Sequence, residues 1–259
     1  MTQQELDYGV ALVTGAGSGI GQTVAQRLAR HGARVVVTDV SEKGIAETLD
    51  LISAEGGTAM GHPLDVCDPA SVEAAFAAAE VWDKTVDILV NNAGIAPMKP
   101  FLDFPLAEWN RVMAVNVTGG LLCGQRAGRA MVAQGYGRII TMTSVSGIRA
   151  GIGRTAYGTS KAALIGLTRQ MALELGEHGV TANAIAPGPI VTPLTEASYT
   201  EDTVAAFKRM IPARRMGAPA DIAAAVAYLA SPEAGYVNGE TLVVDGGYVA
   251  AGVTQAGKS

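Results

Sequence analysis

Short apolar runs alternate along the chain with longer stretches whose apolar residues recur at helical spacing. The short runs predict buried β-strands at residues 10–13, 34–38, 59–64, 88–90, 137–142, 181–185 and 241–244. The longer stretches predict helices: one ending at Gly32, then 42–54, 71–82, 106–134 as one helix or two, 157 to about 176, a short 203–210, and 219–229.

Strict alternation of strand and helix predicts a parallel sheet with helices on both faces. We therefore expect an α/β fold with a doubly wound, mostly parallel, seven-stranded sheet, formed by residues 1–259 as a single domain. Residues 189–218 are too long for an ordinary connection and are expected to form a substrate lid. Residues 250–259 are small and polar and are expected to form a tail.

Composition narrows the possible partners. Of the 259 residues, 49% are hydrophobic and 17% are charged, which excludes a disordered chain. A net charge of −5 gives no basic surface for nucleic acid or anionic membranes, and no apolar run is long enough to span a bilayer. The N-terminus lacks a signal-peptide pattern and Cys67 and Cys123 are isolated, so a cytoplasmic protein with reduced thiols is expected. No His, Cys and carboxylate cluster has metal-ligand spacing, so no metal is expected.

Polar or glycine-rich residues follow nearly every predicted strand. In an open parallel sheet, ligands bind at the carboxyl ends of the strands. Six strand ends therefore predict one site across the sheet, at residues 15–21, Asp39, Asp65, 91–94, Ser144 and 187–188.

A glycine turn links the first strand to the first helix. Glycines let the backbone approach a pyrophosphate, and the helix N-terminus supplies free N–H groups. The predicted contacts are Gly15, Gly17, Ser18, Gly19, Ile20 and Gly21, spaced G-x-x-x-G-x-G. The alternative is a tight strand–helix turn that needs positive φ.

Asp39 follows the second strand, where a carboxylate can accept hydrogen bonds from both hydroxyls of an adenosine ribose. It would repel a 2′-phosphate, and Ser18 and Val40 add no positive charge, so NAD is favoured over NADP. The alternative is a loop or N-cap aspartate. Asp65 and Val66 are predicted to contact the adenine amino group, although Asp65 could equally be an N-cap.

Tyr157 and Lys161 are four residues apart and share one face of a predicted helix. A neighbouring ammonium group lowers the pKa of a phenol, which can then exchange a proton near neutral pH. Such pairs are also common on solvated helix faces, so the pair alone is weak evidence.

Together these motifs resemble the short-chain dehydrogenase/reductase family. The resemblance covers residues 8–249 and rests on T-G-A-G-S-G-I-G at 14–21, N-N-A-G at 91–94, Asn116 in N-V-T-G, Ser144, Y-G-T-S-K at 157–161 and P-G at 187–188. The interval of thirteen residues from Ser144 to Tyr157 also matches, and no catalytic position departs from the pattern.

The resemblance implies a Rossmann-like fold and a catalytic tetrad of Asn116, Ser144, Tyr157 and Lys161. Tyr157 is expected to act as general acid and base, Lys161 to lower its pKa and bind the nicotinamide ribose, Ser144 to bind the substrate oxygen, and Asn116 to hold a relay water, unless it only satisfies a helix bend. Further implied NAD contacts are Asn91, Asn92, Ala93, Gly94, Pro187, Gly188, Ile190 and Thr192. A homotetramer is implied, with helices 106–134 and 157–176 packed across two-fold axes.

The substrate is the least determined part of the prediction. Candidate pocket residues are Ala96, Ser146, Ile148, Arg149, Arg154, Pro189 and the lid at 194–199, beginning with Leu194. Arg149 or Arg154 could recognise an anionic or polyhydroxyl substrate, or could be ordinary surface arginines. We expect an NAD-dependent dehydrogenase of a small secondary alcohol such as a sugar or polyol. The alternatives are a 3-oxoacyl-[acyl-carrier-protein] reductase and a non-catalytic nucleotide-sensing protein.

Overall fold

A computed structural model describes residues 8–83, 85–196 and 199–252. Seven strands form one sheet: β1 Val10–Thr14, β2 Arg34–Asp39, β3 Thr58–Pro63, β4 Ile88–Asn91, β5 Gly137–Met142, β6 Val180–Pro187 and β7 Thr241–Val244. All neighbouring strands are parallel and their order is β3-β2-β1-β4-β5-β6-β7. The predicted doubly wound, Rossmann-like α/β fold is confirmed.

Helices cover both faces of this sheet. They are α1 Gly19–Arg30, α2 Glu42–Ala54, α3 Pro69–Trp82, α4 Leu106–Met113, α5 Gly119–Gln134, α6 Thr155–Leu175, α7 Pro193–Glu196, α8 Glu201–Met210 and α9 Pro219–Ala230. Two buried apolar clusters separate the layers, one under α1 and α9 and one under α3 and α5. Central strands β1, β4 and β5 are buried along their whole length, as expected for strands covered on both faces.

The predicted helical region 106–134 is continuous but not regular. A π-helical segment, Ala114–Thr118, joins α4 to α5, and Asn116 is buried at its centre. Single π turns inside α-helices often occur at functional sites. Here the wider turn coincides with a member of the predicted tetrad.

The predicted lid, 189–218, contains two helices rather than one. Besides α8, the short helix α7 starts immediately after Thr192, where the Thr192 N–H donates a hydrogen bond to Thr195 Oγ1 over 2.8 Å. Most of the predicted tail, residues 253–259, lies outside the described residues. Among the described residues, no helix is both long and apolar enough to cross a membrane.

Candidate active site

The carboxyl ends of the strands open into a single cavity of about 790 Å³. Nearly all the cofactor contacts predicted from the sequence line this cavity: Gly15, Ser18, Gly19, Ile20, Gly21, Asp39, Asp65, Val66, Asn92, Ala93, Gly94, Tyr157, Lys161, Pro187, Gly188, Ile190 and Thr192. Gly17 and Asn91 do not line it, and Asn91 is buried. The strand-end argument therefore located the cavity correctly, although contact with a cofactor remains a prediction.

The glycine turn has a backbone that requires glycine at several positions. Gly15 and Gly19 have φ of +63° and +56°, which L side chains rarely adopt. A Cβ on Gly21 would lie 2.2 Å from the carbonyl oxygen of Gly15, so only glycine fits there. Ser18 caps α1 without a side-chain hydrogen bond, and the first turn of α1 carries no acidic residue. This N-terminus is thus open to a pyrophosphate, which its N–H groups and partial positive charge favour.

The N-N-A-G segment is tied directly to this turn. Asn92 Nδ2 donates to the carbonyl oxygens of Thr14 and Gly15, both over 2.9 Å. Thr14 Oγ1 accepts from the N–H groups of Asn92 and Ala93. Asn92 therefore braces the glycine turn with its side chain, a structural role that the motif alone did not reveal.

Asp39 lies beside the turn at the end of β2. Its Oδ2 accepts a hydrogen bond from the Gly17 N–H and its Oδ1 accepts from the Ser41 N–H, both over 2.9 Å. A carboxylate keeps further acceptor sites after two hydrogen bonds. The predicted loop role is therefore present, and it holds a negative charge at the cavity wall without excluding contact with a ribose.

The tetrad residues cluster around the start of α6, but only three of them reach the cavity. Ser144, Tyr157 and Lys161 line it, and Ser144 lies close enough to Tyr157 to act on the pKa of its phenol. Lys161 Nζ donates to the Met142 carbonyl oxygen over 2.7 Å, which fastens α6 to the end of β5.

Asn116 is buried behind them and 2% exposed. Its Oδ1 accepts from the Ile95 N–H over 2.8 Å, and its Nδ2 donates to the Ile95 carbonyl oxygen and to Ser160 Oγ. Asn116 thus links the π turn, the loop after β4 and α6. These contacts agree with the simpler alternative of a residue that satisfies a helix irregularity, and its relay role stays a prediction.

Opposing effects act on the pKa of Tyr157. Burial raises the pKa of its phenol, while the hydroxyl of Ser144 and the charge of Arg154 act in the opposite direction. Burial also lowers the pKa of the Lys161 amine to about 8. Arg154 Cζ and Lys161 Nζ lie at similar distances from the Tyr157 ring centroid, 5.4 Å and 5.6 Å, so the effect of Lys161 on the phenol stays a prediction.

The candidate substrate residues divide into those the cavity includes and those it does not. Ala96, Ser146, Arg149, Arg154 and Pro189 line it, whereas Ile148 is 43% exposed and lies outside the lining. The side chain of Leu194 lies outside the described part of the chain. Sequence reasoning missed Phe207 and Tyr248, which also line the cavity. Tyr248 follows the end of β7, so the strand-end rule could have found it.

An aromatic and arginine wall closes the catalytic end of the cavity. The rings of Tyr199 and Phe207 lie 5.3 Å apart, and those of Phe207 and Tyr248 lie 6.0 Å apart. Arg154 Nη2 donates to Tyr199 Oη over 3.1 Å, and its Cζ lies 5.4 Å from the ring centroid of Tyr157. Arg149 Nη1 donates to the Tyr248 carbonyl oxygen.

Comparisons with known proteins agree with this arrangement. Residues 15–249 match a family model described as enoyl-(acyl carrier protein) reductase, of the short-chain dehydrogenase type. The chain therefore belongs to the short-chain dehydrogenase/reductase family, and it is an oxidoreductase of that family.

Among similar curated proteins, two are 42% identical. They are the short-chain reductase protein NovJ of Streptomyces niveus, over 92% of this chain and 93% of that one, and the 3-oxoacyl-[acyl-carrier-protein] reductase FabG of Vibrio cholerae, over 93% and 98%. A D-threitol dehydrogenase of Mycolicibacterium smegmatis is 38% identical over 94% of each chain.

Solved structures have closely similar folds at lower sequence identity. A levodione reductase has a TM-score of 0.92 at 35% identity, covering 95% of this chain and 100% of that one. A gluconate 5-dehydrogenase of Burkholderia cenocepacia, in complex with NADP and tartrate, has a TM-score of 0.91 at 36% identity, covering 95% and 97%.

Proposed function

We propose that this protein is an NAD-dependent dehydrogenase that interconverts a small secondary alcohol and its ketone, with Tyr157 as general acid and base. The observation that carries this is that Ser144 and Tyr157 line one end of a cavity whose other end is a glycine turn. The nicotinamide cofactor, when bound, accepts or supplies the hydride. The similar D-threitol and gluconate dehydrogenases support a polyol or sugar-type substrate.

The residues of this chain divide the remaining tasks. Ser144 Oγ and Tyr157 Oη bind the substrate oxygen, and Tyr157 exchanges its proton during reaction. Because burial raises the pKa of Tyr157, the phenol holds its proton at neutral pH, which suits reduction. Oxidation requires the phenolate, so its rate should increase toward alkaline pH. Lys161 and Asn116 position Tyr157 through α6 and the π turn.

The test is a panel of alcohols and ketones, each with NAD(H) and NADP(H), followed by absorbance of the reduced cofactor. Tyr157→Phe should lower kcat by at least ~10³-fold, within the range of general acid–base catalysis, while NADH binding persists. Unchanged activity in Tyr157→Phe would overturn the mechanism. Binding of NADH without turnover of any compound would instead favour a nucleotide-sensing protein.

Asp39 supports NAD as the preferred cofactor. Its carboxylate at the cavity wall repels a 2′-phosphate and can accept from ribose hydroxyls. Asp39→Ala should reduce the NAD over NADP preference in kcat/KM by about tenfold or more, since a hydrogen bond to a charged group contributes ~1.5–3 kcal/mol. A wild-type enzyme that already prefers NADPH would refute this assignment. The NADP-bound neighbour makes this measurement decisive.

A second candidate is a 3-oxoacyl-[acyl-carrier-protein] reductase, favoured by the 42% identity to the Vibrio cholerae enzyme of that name. This activity would use the same Ser144 and Tyr157 with a longer thioester substrate. Including acetoacetyl-coenzyme A in the panel separates the two. Faster turnover of the thioester with NADPH than of any small alcohol with NAD+ would select the second candidate.

A further inference from the structure

Arg154 occupies a position that the proposed reaction does not explain. It precedes α6 directly, three residues before Tyr157, and lines the cavity beside that ring. Among the described residues its guanidinium has no carboxylate partner, and its side-chain hydrogen bond goes to the neutral phenol of Tyr199. An arginine that faces a cavity in this way retains N–H donors in a fixed fork that matches carboxylate and phosphate geometry.

The carboxylates that line the cavity lie at one end of it. Within the described part of the chain, the carboxylates that line it are Asp39 and Asp65, both at the ends of β2 and β3 where the adenosine is expected. The catalytic end carries Arg149, Arg154 and Lys161, whereas a fourth lining cation, Arg111, lies near Cys67 on the side of Asp65. Since the whole chain has a net charge of −5, this local excess of positive charge is not a general property of the surface. Cavities lined by one sign of charge concentrate ligands of the opposite sign.

The three cations at the catalytic end differ in the groups that they already contact. Lys161 Nζ donates to the Met142 carbonyl oxygen. Arg149 donates to the Tyr248 carbonyl oxygen over 3.1 Å and packs on the Tyr248 ring at 4.8 Å. Arg149 therefore anchors the segment after β7. Arg154 also has one hydrogen bond, to the Tyr199 phenol, and one ring contact, but its ring contact is with Tyr157, so its guanidinium lies beside the proposed general acid and base.

We infer that the substrate carries an anionic group, a carboxylate or a phosphate, within a few bonds of the reacting carbon, and that Arg154 binds this group. This inference rests on the proposed function. Arg154 Cζ lies 5.4 Å from the Tyr157 ring centroid, so an anion that its guanidinium binds lies near this ring. Tyr199 holds the guanidinium from the lid side, so the anion is bound between the lid and α6. A short hydroxy acid or a phosphorylated polyol has this shape.

The experiment compares anionic substrates with neutral ones of the same carbon skeleton. The pairs are D-threonate with D-threitol and D-gluconate with D-glucitol, and D-glucitol 6-phosphate forms the phosphate arm. In the wild type, the anionic member should have the higher kcat/KM. Arg154→Met should lower the anionic-to-neutral ratio on the order of a hundredfold, as for a truncated charge pair, mainly through KM. The ratio for Arg154→Lys should lie between those of the wild type and Arg154→Met, because lysine keeps the positive charge but lacks the planar guanidinium fork.

Arg169→Met is the matched control. Arg169 is exposed on the same helix and does not line the cavity, so this variant loses the same charge but should keep the wild-type ratio. Preference for the neutral member of both pairs in the wild type, or an unchanged ratio in Arg154→Met, would overturn the inference. A phosphate arm that exceeds both carboxylates identifies the anion as phosphate.

Calorimetric binding separates this inference from the proposed function. D-gluconate and D-glucitol 6-phosphate are titrated into NADH-loaded Tyr157→Phe and into its double variant with Arg154→Met. Binding that requires Arg154, without wild-type turnover of any compound, would support the inference and refute the dehydrogenase. Turnover of neutral alcohols with no anion binding would do the reverse.

Discussion

Lys161 carries its amine into a buried position between α6 and the end of β5. Lys161 is only 4% exposed, and its amine donates a short hydrogen bond to the Met142 carbonyl oxygen. Burial lowers the pKa of the amine to about 8, because a charged group loses hydration inside the protein. Retaining such a residue costs stability, which is consistent with a functional position.

This cost depends on pH in a predictable direction. The amine has a pKa of about 8 in the folded protein and an ordinary value of 10.5, so between these values the unfolded chain binds more protons. The contribution of Lys161 to the free energy of unfolding therefore rises with pH from 8 to 10.5, by about 3 kcal/mol. Lys161→Met should be the more stable protein at pH 7 by a margin that narrows toward pH 10.5.

Urea denaturation of both proteins across this pH range measures the effect. Only the difference between the two proteins is used, since burial also raises the pKa of Cys123, to about 12, and that group acts in the opposite direction above pH 9. A gap that stays constant with pH would mean that Lys161 is not desolvated as the structure indicates.

At the scale of elements, the glycine turn and α1 form one unit with the N-N-A-G segment. Three sets of hydrogen bonds hold this unit together. The Asn92 side chain donates to two carbonyl oxygens, the Thr14 hydroxyl accepts from two N–H groups, and Asp39 accepts from the Gly17 N–H. Gly21 lies at the centre of this unit, and a Cβ there would lie 2.4 Å from Asn92 Nδ2. The turn, more than any single contact, prepares the helix N-terminus for a phosphate.

Gly21→Ala should therefore damage both stability and cofactor binding. Overpacking of this kind costs about 1–3 kcal/mol, and the shifted turn should weaken NADH binding by tenfold or more, on the order of 1.4 kcal/mol. Thermal unfolding and NADH fluorescence titration measure the two effects.

Gly166→Ala provides the control for the same substitution in a helix. A Cβ on Gly166, in the middle of α6, meets nothing within 4 Å. This variant should gain about 0.5–1 kcal/mol, because alanine is the better helix former. Equal effects of the two variants would show that the close contact at Gly21 relaxes without consequence.

At the scale of the whole molecule, the strand order decides which residues meet. Strand β1 lies in the interior of the sheet. Strands β2 and β3 extend the sheet to one side of it, and β4 to β7 extend it to the other side, so the ends of β1, β4 and β5 are neighbours. This places the glycine turn beside the N-N-A-G segment and Ser144, although they are far apart in the chain. The exposed faces of α5 and α6 include Leu121, 38% exposed, and Leu173, 78% exposed.

The homotetramer expected from the sequence stays a prediction and is tested on α6. If this helix packs across a two-fold axis, Gly166→Arg should lower the mass measured by sedimentation from about four times 26.5 kDa, while the fold of one subunit is kept. Ala46→Arg, on the exposed face of α2, is the control and should leave the mass unchanged. A wild-type monomer, or a tetramer that tolerates Gly166→Arg, would contradict this packing.

The sequence alone was sufficient for the fold and for most of the cavity lining. Hydrophobic periodicity and the glycine and proline residues between elements predicted strand 137–142 and helix 42–54 with the observed bounds. This is possible because burial of one or both faces of an element determines the order of its apolar residues. Other boundaries differ by a few residues, as for β6, which extends to Pro187. The strand-end rule located the site because it follows from parallel topology and needs no side-chain geometry.

Only the tertiary structure decided what each polar group does there. Asn92 braces a turn, Asn116 joins three segments, and Arg154 lies beside the Tyr157 ring as well as Lys161. Spacing along a helix shows that Tyr157 and Lys161 share a face, but the pKa of each depends on burial and on partners from distant segments. Phe207 and Tyr248 reach the cavity from the lid and from beyond β7 for the same reason. Periodicity records which side of an element is buried, whereas charge and hydrogen bonding depend on what the fold brings to that side.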